Sequence, residues 1–90
     1  MSVIKEKMPV VELLAGLAEE CCELSQAALK LRRVYDKTNP TPVTEEEAID
    51  RLYEEIADVE LYLKQIDVNR AEIVKTIQRK QKRWEERLTK

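Results

Sequence analysis

Two short strings in the chain carry closely spaced carboxylates, Glu19-Glu20-Cys21-Cys22-Glu23 and Glu54-Glu55-Ile56-Ala57-Asp58. Residues three apart on a helix are surface neighbours, so Glu20 stands beside Glu23 and Glu55 beside Asp58. Projected at about 100° per residue, both pairs run along one border of their helix's apolar face, whereas Glu19 projects towards the middle of the polar face. In an antiparallel helical hairpin, residues at one height have numbers with a constant sum. Glu20 with Asp58 and Glu23 with Glu55 each add to 78, which centres the turn on Asn39. The hairpin therefore brings four carboxylates to one level. Like charges so close disfavour joint ionisation, and a divalent cation removes that penalty. The chain has no histidine, so its donors are oxygens, which suit magnesium, manganese or calcium. The competing reading is a solvated acidic face, since an isolated ExxE on a surface helix is usually paired with nearby bases. Arg51 is placed to pair with Glu55, but Glu20 has no base at 16, 17, 23 or 24, and Glu23 has none at 26 or 27. Two pairs matched in height on apolar borders favour the metal site.

Helical periodicity positions these acids. Val10, Leu14, Leu17, Cys21, Leu24, Ala28, Leu31 and Tyr35 recur at alternating steps of four and three. Pro9 fits a first turn, and Pro40 and Pro42 push their predecessors out of helical geometry. Thr44 with Glu47, and Asn69 with Glu72, have capping-box spacing. Ile49, Leu52, Ile56, Val59, Leu63 and Ile66 form the second seam, and Ile73, Ile77, Trp84 and Leu88 the third. The pattern predicts helices over about 9–36, 44–66 and 70–88.

Ninety residues make one domain, 1–90, whose core is too small to make a lone chain more than marginally stable. Adjacent Cys21 and Cys22 point to different sides of a helix; they read as small buried hydrophobes rather than a disulfide. The net charge of −2 gives the chain no overall attraction for nucleic acid, and no apolar run approaches the length of a membrane span. With no signal-peptide core at its start, a soluble, cytoplasmic protein is expected. Helix one bears a second stripe, Val11, Ala15, Ala18, Cys22 and Leu29, and helix two bears Tyr53, Ala57 and Leu61. The third helix has too few apolar residues to cover both stripes, so a second copy is expected to do so. The fold class expected is all-α: an antiparallel helical hairpin plus a third helix, assembling by dimerisation into a four-helix-bundle-type core.

The strings Leu17-Ala18-Glu19-Glu20-Cys21-Cys22-Glu23-Leu24-Ser25-Gln26-Ala27 and Glu54-Glu55-Ile56-Ala57-Asp58-Val59 resemble the EExxE and ExxD motifs of the MazG-like all-α nucleoside triphosphate pyrophosphohydrolases. That family includes dUTPases, dCTPases and phosphoribosyl-ATP pyrophosphohydrolases. The resemblance covers roughly residues 10–88; either motif alone would be weak, and the two together are more specific. The 31 residues between Glu23 and Glu55 slightly exceed the family's usual gap, which a longer turn accommodates. The resemblance implies that Glu20, Glu23, Glu55 and Asp58 are the catalytic, metal-holding residues, with Mg2+ as cofactor and Mn2+ as a substitute. It implies water attack on the α-phosphorus of a nucleoside triphosphate, releasing the monophosphate and pyrophosphate. By the same resemblance, Tyr62 would contact substrate, and Arg79, Lys82 and Arg83 on the basic last helix would hold phosphates.

Each assignment has a plainer counterpart. Tyr62 is almost equally well explained as a core or interface tyrosine, Trp84 reads as packing, and most bases of the last helix as a solvated face. No aromatics alternate with those bases, so an RNA-binding face is disfavoured. The competing function is a non-catalytic helical dimerisation or interaction module, which fits the apolar stripes equally well and lacks only a use for the matched carboxylates.

Overall fold

A computed structural model describes residues 3–40 and 42–90; Met1, Ser2 and Thr41, the last within the expected turn, lie outside the described residues. Among the described residues, four helices follow one another: α1 (Val3–Lys7), α2 (Val10–Asp36), α3 (Glu45–Gln65) and α4 (Arg70–Leu88). The long three match the expected ranges to within a residue. The short α1 was not expected; Pro9, at φ −61°, separates it from α2, and an ion pair between Lys5 and Asp67 ties it to the α3–α4 connection.

The helix ends follow from side-chain chemistry. Lys37 enters the left-handed region at φ 62°, and the N–H groups of Lys37 and Thr38 both donate to the Arg33 carbonyl, closing α2. The Asp36 carboxylate accepts from the Thr38 hydroxyl and N–H, and these bonds hold it below the ordinary carboxylate range. Thr44 Oγ1 accepts from the Glu47 N–H at 3.1 Å, and Asn69 Oδ1 from the Glu72 N–H at 3.2 Å, starting α3 and α4.

Helices α2 and α3 form the antiparallel hairpin, and its register is visible at Gly16. The Tyr62 ring lies against that glycine, and 16 and 62 again add to 78. A mid-helix glycine costs about 1 kcal/mol relative to alanine; here it makes room for the ring.

The contact face differs from the expected seam. Among the described residues, Leu13, Ala27 and Ala48 are the buried apolar residues, accompanied by buried Glu55 and Gln65. Leu17, Leu24 and Leu31 are half-buried, but Leu14, Cys21, Ala28 and Tyr35, placed on the same seam from sequence, are exposed. The interface is rotated towards the carboxylate border, where Gly16, Ala27 and Ala48 let the helices approach and Leu13 fills the space between them. Cys21 and Cys22 are exposed for the same reason, correcting their reading as buried.

Among the described residues, α2 and α3 are the only helices in extended contact, and α4 makes no extended contact with either. The result is flat, 44 × 38 × 18 Å, with a radius of gyration of 16.8 Å; a compact chain of this length has about 12 Å. Accessible surface is 7533 Å², about 2,100 Å² more than a folded monomer of this mass is expected to expose. Every member of the two secondary stripes, Val11 to Leu29 on α2 and Tyr53 to Leu61 on α3, is exposed.

Candidate metal centre

Midway along the hairpin, Glu20, Glu55 and Asp58 each offer a carboxylate oxygen, and these three atoms lie within 4.8 Å of one another. Glu20 comes from α2, and Glu55 and Asp58 from α3. The grouping needs the 78 register, since a slip of one turn would separate Glu20 from Asp58. Burial is graded across the cluster: Glu55 is only 5% exposed, Glu20 half-buried and Asp58 exposed.

Glu23 is turned to a different partner. Its Oε2 lies 3.6 Å from the terminal Nη2 of Arg51, whose Nε sits 3.1 Å from Glu55 Oε1. Arg51 thus bridges two of the four expected ligands. The Arg51–Glu55 pairing was anticipated from the i,i+4 spacing; the reach to Glu23 was not. Arg51 and Glu23 add to 74, one turn from the register, which is the signal that could have shown it.

Glu55 retains an unmatched oxygen. Its Oε2 is buried and has no hydrogen-bond partner. An uncompensated buried carboxylate oxygen is costly, and a cation beside it would remove that cost. The electrostatics of Glu20 agree. Burial, then the charges of Asp58, Glu55, Glu23 and Glu19, push its carboxyl above the ordinary glutamate range. Three oxygen donors of high negative charge, one of them on a buried side chain with an unmatched oxygen, are a donor set that could hold a hard divalent cation, whether magnesium, manganese or calcium.

Beside the cluster, towards the turn, a cleft is lined by Glu23, Gln26, Lys30, Val43, Glu47 and Arg51, with Ala27 and Ala48 also on its walls. Its two cations come from the hairpin itself, and sequence reasoning gave Lys30 no role. Tyr62 is half-buried against Gly16, one turn from Asp58 on the carboxylate border. Arg79, Lys82 and Arg83 are exposed on α4. Because α4 does not pack on the hairpin, the fold of one chain does not bring them to the carboxylates. Trp84, expected as packing, is 61% exposed.

No known family model, curated protein or solved structure matches the chain.

Proposed function

We propose that this chain is a magnesium-dependent nucleoside triphosphate pyrophosphohydrolase of the MazG-like kind, working as a homodimer or higher homo-oligomer in the cytoplasm. The observation that carries the reading is the convergence of Glu20, Glu55 and Asp58 around a buried Glu55 whose second oxygen has no partner. The motif resemblance supplies the reaction; the geometry supplies a reason for the motifs.

Glu20, Glu55 and Asp58 would hold the ion, with Glu23 adjoining them. Magnesium held there would supply charge neutralisation for the triphosphate and Lewis acidity towards the attacking water. The carboxylates orient that chemistry, and the rigid hairpin fixes their spacing before substrate arrives. Lys30 and Arg51 on the cleft wall supply positive charge for the phosphate chain. With no histidine in the chain, the proposal is direct attack of water on the α-phosphorus, giving monophosphate and pyrophosphate.

Oligomerisation is supported by the uncovered apolar surface. About 2,100 Å² of excess accessible area per chain falls in the range that obligate dimers bury. Ile77, Trp84 and Leu88 on α4, each more than half exposed, extend it. No helix of the described residues is long and apolar enough to cross a membrane.

The same exposed faces favour the second reading, a non-catalytic interaction module. A panel of canonical and modified nucleoside triphosphates with magnesium, read out as pyrophosphate, separates the two. In 18O-labelled water the label should enter the monophosphate. No pyrophosphate from any substrate at high protein concentration would leave the interaction module as the better account.

A further inference from the structure

Among the described residues, Arg51 is the one cation paired with these carboxylates, and its two contacts are unequal. Nε meets Glu55, which is buried, at 3.1 Å; Nη2 meets Glu23, which is about half exposed, at the longer distance of 3.6 Å. An ion pair of the second kind is weak and readily exchanged, whereas one to a buried carboxylate is held more firmly. The side chain therefore has a fixed end and an exchangeable end. The exchangeable end lines the cleft that also holds Lys30. Glu23, meanwhile, stands outside the three-carboxylate grouping, although it shares its level in the hairpin.

We propose that Arg51 is a latch: pivoting on Glu55, it holds Glu23 out of the ligand set until a polyphosphate entering the cleft beside Lys30 takes its terminal nitrogens and releases Glu23 towards the ion. The inference rests on the metal-site reading given above. Guanidinium suits the exchange, because its planar fork pairs as well with phosphate as with carboxylate. Glu20, Glu55 and Asp58 make the resting site, and Glu23 completes it only when substrate is present. Arg51 is thus a positioning residue for Glu23 and, after exchange, a phosphate contact.

The latch makes a distinctive statement about metal affinity in the absence of nucleotide. Manganese binding to the full chain is followed by the loss of its free-ion paramagnetic resonance signal. Glu20→Gln and Asp58→Asn should each weaken binding strongly. Glu23→Gln should change it less than about threefold, although it loses turnover. Arg51→Met removes a unit charge a side chain's width from a divalent ion, which in a water-like dielectric tightens binding about tenfold. In that background Glu23 is free to join, so adding Glu23→Gln should now weaken binding markedly. This non-additivity is the signature of the latch. Because Arg51→Met leaves buried Glu55 without its partner, helicity is checked by circular dichroism, and the Glu23→Gln result in the parent chain stands without that variant. If Glu23→Gln harms binding as much as Glu20→Gln, or if the effects of Arg51→Met and Glu23→Gln simply add, the latch is wrong. If the parent chain binds no manganese, the metal-site reading itself falls, and the latch with it.

Discussion

Replacing Gly16 with alanine sets two effects of similar size against each other. Alanine in a helix interior is favoured over glycine by about 1 kcal/mol. Against this, a Cβ at position 16 would fall 2.5 Å from Tyr62 Cζ and 2.6 Å from its hydroxyl oxygen. Relief to ordinary van der Waals separation needs a displacement of about 1 Å, and a planar ring cannot bend to provide it. Either Tyr62 swings out of the hairpin or the helices part, and over-packing of this kind costs about 1–3 kcal/mol. Gly16→Ala should therefore destabilise the protein by about 1 kcal/mol net. In a Tyr62→Ala background the obstacle is gone, so the same substitution should stabilise by about 1 kcal/mol. Urea unfolding followed by helical circular dichroism, at fixed protein concentration because association contributes to stability, reads both signs. Stabilisation by Gly16→Ala with Tyr62 present would refute the packing and, with it, the register that brings the carboxylates together.

Thr44→Ala removes the oxygen that accepts the Glu47 N–H at the start of α3 and should cost about 1 kcal/mol in the same unfolding assay. Glu20 has a folded-state pKa raised chiefly by burial, then by Asp58 and the other acids. Without metal, its contribution to stability is therefore present below the ordinary glutamate pKa and lost as pH rises through the raised value. Glu20→Gln should remove that loss, making the metal-free variant the more stable at neutral pH; melts in chelator across about pH 4–7 check the direction, and a less stable variant at neutral pH would contradict it. Ala18→Asp, on the exposed small-residue stripe of α2, should lower the sedimenting mass towards 10.5 kDa or unfold the chain; an unchanged, folded oligomer would remove that face from the interface.

The hairpin was legible in the sequence because its determinants are local. Proline at 9, 40 and 42, Thr44 and Asn69 as caps, and an alternating three-four spacing fix three helices almost to the residue. The common sum of the two carboxylate pairs then gave the register, which Gly16 against Tyr62 repeats independently. The rotation of the helices was not legible. Periodicity marks an apolar stripe but does not say whether it meets the same chain or another. Leu14, Cys21 and Tyr35 keep the three-four apolar spacing yet are exposed, whereas Gly16, Ala27 and Ala48 permit the closer approach. The placement of α4 was hidden for a related reason, since its apolar residues are too few to specify a partner helix within one chain. Arg51 was half visible: spacing revealed its neighbour on α3, but its second partner lies across the hairpin.

Manganese titration of the protein against its Glu55→Gln variant tests the metal centre most directly. Glu55 is the buried member of the cluster, one oxygen engaged by Arg51 and the other unmatched. The amide keeps the shape but replaces one oxygen by a hydrogen-bond donor and removes the charge. One ion should bind per chain of the parent protein, displaceable by magnesium, and binding should be lost in the variant while the helices persist. A parent chain that binds no ion, or a variant that binds as tightly as the parent, would contradict a metal centre at these carboxylates.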